Sequence, residues 1–438
     1  MELPLAVRWN AQPESGARVV LGLPVATRTA RTASELESLL REIEPRQAER
    51  ARVSIGAGWF GWISYDAGTV FEPAVRANKP RAPADRDWPL ASFQRIEASI
   101  EIDPRGRWTS NGTPDTDLLI ALRDTRRPQS PGYRMEHIDA SKNQAEYIAG
   151  VERIIEYIRA GDAYQVNLAH RLSAKFEGSA RHLFADLAES AQPWHGGYFE
   201  AEGYALASVS PELFLEADFR SRAVRTRPMK GTRAYTPATD ATARLELDAS
   251  AKDRAELAMI VDLMRNDLGR VCDLGSVRVE EQRRIERHAS GVMQSTATIA
   301  GTLRSGTTLL DLLRATFPPG SVTGAPKIRA MQIIDELERF RRGPYCGTML
   351  WVGDDGRVQA NVMIRTAAIC SVTPNSGTNL DYSAGAGIVV DSNAISEWDE
   401  TLAKAAPILS IVSNATAQAA LRADTNSLTR QGTTTRGS

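Results

Sequence analysis

Cysteine is scarce in this sequence. Cys272, Cys346 and Cys370 form an odd, scattered set with no CxxC spacing, which excludes a disulfide framework and a thiolate zinc site and leaves three small residues suited to burial. Long apolar runs are missing as well. The opening "MELPLAV" is broken by Arg8 and Asn10, so it lacks the apolar core of a signal peptide, and no run is long enough to span a bilayer. The expected compartment is the cytoplasm. Charge excess is also absent: a net charge of -1 gives no pull toward nucleic acid or an anionic membrane. What is present is ordinary globular chemistry, with 24% charged and 42% apolar residues in a chain of 438, enough to bury a large core.

The N-terminal third mixes strand-like runs with breaker-rich loops. "ARVSIGAGWFGWISYDAG" reads as a glycine-punctuated aromatic strand pair, "EPAVRANKPRAPADRDWP" as an exposed connection, and "PDTDLLIALRDTRRPQSPG" as the link to a second part. From Ser141 the pattern turns helical: Tyr147, Val151, Ile154, Ile155 and Ile158 share a face, Ser141 and Gln144 are placed as a capping box, and Gly161 marks the end. Strands are expected at "YQVNLAHRLS", "YALASV", "LFLEA", "AVRTRP", "CGTMLWVG", "VQANVMIRTAAICSV" and "LDYSAGAGIVV". Helices are expected from about Ala251 to Asn266, after Pro326, and from about Ser396. Strands and helices in blocks, without strict alternation, point to an α+β fold with antiparallel sheets.

Several stretches carry possible chemistry. In "RTRPMKGTRAY", from Arg225 to Tyr235, Lys230 sits between a rigid proline and a glycine-threonine turn. It is either a solvated surface charge or a buried amine placed to attack. Two helix starts carry acids at i and i+3: Asp253 with Glu256, and Glu397 with Glu400. That spacing puts each pair on one helix face. Such acids can simply stabilise the helix dipole. If the two faces converge, four carboxylates need a divalent cation between them, and all-oxygen ligation suits Mg²⁺. "GSVTGAPK" fails the phosphate-loop pattern, because Ala325 and Pro326 separate Gly324 from Lys327. "AGAGIVV" is either a crowded strand or a place where backbone N–H groups meet an anion.

These pieces together resemble a family. "SPELF", "RPMKGT", "DRAELAMIVDLMRNDLGRV", "FPPGSVTGAPK", "AGAGIV" and "EWDETLAKA", in this order, are similar to the chorismate-utilising enzymes, above all to component I of the aminodeoxychorismate synthases and the anthranilate synthases. The resemblance spans roughly 141–409 and is weaker before it, resting there on "GWFGWISYD". It implies an α+β fold in which two antiparallel β-sheets form a sandwich wrapped by helices. The implied division is 1–130, an N-terminal region contributing to the same fold; 131–414, the chorismate-binding catalytic domain; and 415–438, a disordered tail.

The resemblance also implies roles. Glu256 and Glu400 fall on Mg²⁺ ligands, with Asp253 and Glu397 as nearby acids. Gly231, Thr232, Ala386, Gly387 and Lys404 would hold the ring region of chorismate, and Tyr345 and Arg365 its enolpyruvyl carboxylate. Lys230 stands where anthranilate synthases carry a small residue, and marks the aminodeoxychorismate synthases. There the family mechanism has the lysine add at ring C2 while the 4-hydroxyl leaves, with Glu212 as general acid, before ammonia attacks C4. Gln165 replaces the water-activating lysine of isochorismate and salicylate synthases, so ammonia is the expected nucleophile. Gln294 stands where anthranilate synthases usually have histidine. None of the cysteines lies in a nucleophile elbow, so a separate glutamine amidotransferase subunit is the expected ammonia source. The expected product is 4-amino-4-deoxychorismate, on the route to 4-aminobenzoate and folate. The rivals are anthranilate synthase component I and an inactive amidotransferase scaffold.

Overall fold

The computed structural model describes residues 6–10, 18–45, 56–76, 82–103, 105–111, 132–288, 291–371 and 378–411. The link at 114–131 and the tail at 415–438 lie outside the described residues. Every strand pairing given for the described residues is antiparallel, and the strands follow one continuous order. One half runs from Arg278–His288 through Val292–Thr302, the strands Ala223–Arg227 and Met229–Ala234, Leu213–Asp218, Arg357–Asn361, Thr348–Gly353, Gly58–Ile63 and Ala91–Ile102 to Arg18–Ala30. The other runs from Gly196–Ala201 through Tyr204–Ser208, Thr366–Ser371, Thr378–Ile388 and Gln165–Gly178 to Tyr133–Ala140.

The two expected sheets are therefore not separate. The short strand Ala6–Asn10 joins them, with Val7 opposite Leu21 on one side and Tyr198 on the other. The physical reason is edge protection: a strand paired on both sides removes two exposed sheet edges at once.

Helices cover the halves with apolar faces. Gln144–Arg159 buries Tyr147, Val151 and Ile154 against Leu168, Ala386 and Ile388 of the second half. Its cap is not Ser141. Asn143 caps it, accepting from the Glu146 N–H and closing a capping box, while Ser141 is held in the sheet by Arg171. Ala251–Gly269 buries Leu257, Ile260, Val261 and Met264 in the larger core. Ser250 ends the preceding helix, Asp240–Ala249, and starts this one by accepting from the Asp253 N–H.

Of the aromatic segment, residues 51–55 lie outside the described residues, and the rest holds the strand Gly58–Ile63 followed by a 3₁₀ turn at Tyr65–Ala67. Two further expectations are corrected. The run "VQANVMIRTAAICSV" is two strands, Arg357–Asn361 and Thr366–Ser371, broken where Arg365 takes φ 50°. The connection before Trp88 is anchored rather than wholly exposed: Arg86 pairs with Asp381, and Asp85 with Arg171. All three cysteines are free and buried.

Candidate active site

Lys230 owes its position to a bulge. It faces Ser295 across the ladder and Thr232 faces Gln294, so Gly231 is the extra residue, at φ 71°. A Cβ on Gly231 would stand 2.8 Å from Asp253 Cγ and 2.8 Å from Leu247 Cδ1. Only glycine lets the strand approach the helix start this closely. Lys230 Nζ then lies 3.7 Å from Glu256 Oε2, with both side chains largely buried. On its other side is the "AGAG" strand: a Cβ on Gly387 would meet Lys230 Nζ at 2.8 Å and Gln165 Nε2 at 3.0 Å. The amine, the small-residue strand and Gln165 thus share one small space. The Gln165 amide is fully buried, and neither its oxygen nor its nitrogen has a hydrogen-bond partner. An orphaned amide at this depth is what a polar ligand would satisfy.

Glu212 opens toward the same place. It is 3% exposed and its carboxyl is pushed up to about 7 by burial, against the opposing pull of the Ser321 hydroxyl, the Lys230 charge, the Met229 N–H and Lys404. Ser321 comes from the 3₁₀ turn Gly320–Val322, which gives the "GSVTGAPK" stretch its place in the site. The lysine of that stretch goes elsewhere: Lys327 bonds Asp267 and the Thr316 carbonyl.

The acids do converge, with lysines among them. Burial holds the Glu256 carboxyl above the usual range; Lys230 and Lys252 oppose this, and Glu400 and Glu397 reinforce it. Burial would also raise Glu400, but Lys404, with Lys230 and Lys252, outweighs it and holds that carboxyl below the usual range. Lys404 bonds Glu400 at 2.7 Å and the Gly385 carbonyl at 2.9 Å. Glu397 is taken by Lys252 at 2.9 Å and by Ser392, and Asp253 by Arg233 at 2.9 Å.

Backbone bonds hold the segments that carry the remaining expected residues. The Glu212 carbonyl accepts from Val362, Met363 and the Tyr345–Gly347 turn exchange bonds, and the Arg365 carbonyl accepts from Val209. The side chains diverge from expectation in one respect. The Tyr345 ring lies 5.7 Å from the Arg342 guanidinium, whereas the titratable neighbour of Arg365 is Tyr382, whose hydroxyl burial keeps uncharged. Gln294 donates to the Thr232 hydroxyl at 3.1 Å.

Comparison with known proteins follows the same lines. The sequence model of the chorismate binding enzyme family matches residues 6–410. The chain belongs to the chorismate-binding enzymes. Among these enzymes, the aminodeoxychorismate synthase component 1 of Klebsiella aerogenes is 38% identical over 371 residues, covering 80% of this chain and 76% of that one. The anthranilate synthase component 1 of Streptomyces coelicolor is 42% identical over 283 residues, 64% of this chain and 54% of that one. Among solved structures, anthranilate synthase component I from Streptococcus pneumoniae superposes with a TM-score of 0.75 at 25% identity, covering 89% and 91% of the two chains. The menaquinone-specific isochorismate synthase of Escherichia coli shares the fold, with a TM-score of 0.69 at 20% identity.

The donor set of this chorismate-binding enzyme suits Mg²⁺ in a limited way. Among the described residues no three acids, histidines or cysteines form a ready-made cage. Mg²⁺ does not need one, since it is usually bound by one or two carboxylates with water and substrate supplying the rest. Glu256 and Glu400 repel each other, and a divalent cation would relieve that repulsion. Asp253 and Glu397, held by Arg233 and Lys252, are less available. Sequence reasoning missed Lys252, Arg233 and Ser321. Lys252 had a signal, standing four residues before Glu256 on the same helix face.

Proposed function

We propose that this chorismate-binding enzyme aminates chorismate at C4 with ammonia, giving 4-amino-4-deoxychorismate, the reaction of an aminodeoxychorismate synthase component 1. The observation that carries this reading is Lys230 Nζ, buried 3.7 Å from Glu256 and pressed against the Gly387 backbone beside Gln165. Once its proton is removed, a lysine so placed can attack the ring.

Lys230, as the free amine, adds at C2 and its adduct sheds a proton to solvent, while the ring double bonds shift toward C4 and the C4–O bond breaks. Glu212, pushed up to about 7, is half protonated near neutral pH and gives its proton to the leaving hydroxyl, which departs as water. Ammonia then adds at C4, the double bonds shift back, and the C2–Nζ bond breaks as Nζ takes up a proton lost by the new C4 ammonium, releasing Lys230 as an amine. Glu256 and Glu400 would hold Mg²⁺, which when bound supplies the charge that fixes the ring carboxylate. Thr232, Gly231, Ala386 and Lys404 border the ring region, Gln294 orients Thr232, and Arg365 with Tyr345 receives the enolpyruvyl carboxylate. Gln165 has no basic group with which to activate water. The name "component 1" borne by the relatives supports a separate second subunit, a glutamine amidotransferase supplying ammonia. The product would serve 4-aminobenzoate and folate synthesis in the cytoplasm.

A second reading is anthranilate synthase component 1, favoured by the 42% identity to the Streptomyces coelicolor protein. Incubating the purified chain with chorismate, Mg²⁺ and ammonium tests both. A product that keeps the enolpyruvyl group supports the first reading, and anthranilate with pyruvate the second.

A further inference from the structure

One edge of the strand Gln165–Gly178 is covered in separate stretches. At its start Gly324–Ala325 pairs with Gln165 and Val166, and the Asn167 N–H donates to the Thr323 carbonyl at 2.8 Å. Farther along, the Arg171 N–H donates to the Ser141 hydroxyl, and the strand Tyr133–Ala140 takes over with Ala140 opposite Leu172. Between these stretches a buried ion pair stands in for a strand. Arg342 donates to the Asn167 carbonyl at 2.9 Å, and Glu338 accepts from the Ala169 N–H at 3.0 Å. The two side chains are 2% and 7% exposed and bond each other through Arg342 Nε at 2.9 Å and Nη2 at 2.6 Å.

The register puts this pair on the side of the site. Asn167 is directly opposite Gly387 and Ala169 directly opposite Gly385, and residues two apart along a strand share a face. Gln165, Asn167 and Ala169 therefore stand on the face that meets Lys230, and Arg342 also reaches Asn167 Oδ1 there, at 3.3 Å. The remaining arm of the fork, Nη1, donates to the Val322 carbonyl at 2.8 Å. One guanidinium thus grips the strand two residues from Gln165 and the turn one residue after Ser321, whose hydroxyl bonds Glu212. Its plane is steadied by the Tyr65 ring, 4.7 Å away. Stability alone does not call for such a pair, because an apolar pair of similar size serves a core as well or better. What the fork supplies is geometry, since its donors hold fixed angles.

We propose that Arg342, neutralised by Glu338, is a positioning residue that locks the Gly320–Val322 turn to the Gln165 strand and so aims Ser321 at Glu212. This inference deepens the reading of Glu212 as general acid and rests on it.

The test compares wild type, Arg342→Lys, Ser321→Ala and the double variant. Lysine keeps the charge beside Glu338 and gives up the fork. The groups facing Glu212 are the Ser321 hydroxyl, the Met229 N–H, Lys230 and Lys404; all hold its carboxyl down against burial, so releasing Ser321 lets it keep its proton to higher pH. A hydrogen bond to a charged group corresponds to roughly tenfold, or about one pH unit. The expected result is that Ser321→Ala moves the falling limb of kcat/KM up by about one pH unit, that Arg342→Lys moves it up by about half a unit or more, and that the double variant moves no further than Ser321→Ala. The same titration is read without substrate in melting temperatures from pH 5 to 9. There the stability loss should run to higher pH in Arg342→Lys, and a Glu212→Gln background should remove the pH-dependent part of the difference. If Arg342→Lys does not fold, Arg342→Met with Glu338→Gln replaces it, leaving no unpaired charge and keeping an acceptor for Ala169, with the same expected shift. A limb at the wild-type position, or a double-variant shift equal to the sum of the single shifts, would overturn the assignment. The expected melting shift in a chain that turns over no chorismate would support the positioning and count against the functional reading.

Discussion

Replacing Glu212 by glutamine separates chemistry from stability. At about 7, the Glu212 carboxyl lies well above its ordinary value of 4.5, chiefly because the side chain is buried. A group whose folded-state pKa is raised favours the fold fully below the unfolded pKa, and that contribution is lost as pH rises through the folded pKa. The wild-type protein should therefore lose stability from about pH 4.5 to just above pH 7. At about 1.36 kcal/mol per unit, the loss is on the order of 3 kcal/mol. Glutamine is neutral at every pH, accepts from the Met229 N–H as the carboxylate does, and lets Ser321 turn to accept from its amide. Glu212→Gln should match wild type near pH 5 and melt higher at pH 8. Activity should move the other way. A general acid contributes about 10²–10⁴-fold, so the variant should lose at least about a hundredfold in kcat/KM. In wild type, kcat/KM should fall about tenfold per pH unit above about 7 as the proton leaves. The assays are thermal unfolding from pH 5 to 8 for both proteins and initial rates over the same range. A melting difference that stays flat with pH, or a variant with wild-type turnover, would refute the reasoning.

Other substitutions test neighbouring parts. Lys230→Ala should stop formation of the 4-amino product while chorismate binding persists, because the attacking amine is lost and the substrate contacts remain; equilibrium binding and product chromatography read the two effects separately. Glu256→Gln and Glu400→Gln should each weaken Mg²⁺ dependence together with chorismate binding, and an unchanged metal titration in either variant would remove that residue as a ligand. Gly231→Ala should destabilise by at least about 1 kcal/mol from its φ of 71° alone, and further by displacing Asp253 and Leu247. A melting temperature equal to wild type would contradict the bulge argument.

Much of this arrangement is legible in the sequence where local pattern and packing agree. The helix from Ala251 shows a 3.6 period because one face enters the core, and its acids fall where the sequence puts them. The helix Ala180–Ala191 is harder to see, since Ser179 makes no side-chain cap bond, and so is Asp240–Ala249, for the same reason at Thr239. Leu309–Thr316 went unread although it had a signal, since Thr308 and Asp311 form a capping box. The strand Arg278–His288 hides because its exposed positions are charged, which masks the alternation until Glu286 and His288 are seen to be buried. The break before Thr366 is hidden for the opposite reason, as apolar residues continue through it while Arg365 turns the chain. At the site, Lys230 is legible as a chemical oddity between proline and glycine. Its partners are not, because the distance from Lys230 to Glu256 depends on a bulge whose register no local sequence specifies. Lys252 and Arg233 look like solvated surface charges until the helix start and the strand are brought together.

The central claim is that Lys230 makes this chorismate-binding enzyme an aminating one that spares the side chain. The most direct test is product identification after incubating the purified chain with chorismate, Mg²⁺ and concentrated ammonium salt, separating products by chromatography and mass and then adding a 4-aminobenzoate-forming lyase. The expected product retains the enolpyruvyl group and yields 4-aminobenzoate with the lyase. Anthranilate and free pyruvate, formed without the lyase, would contradict it.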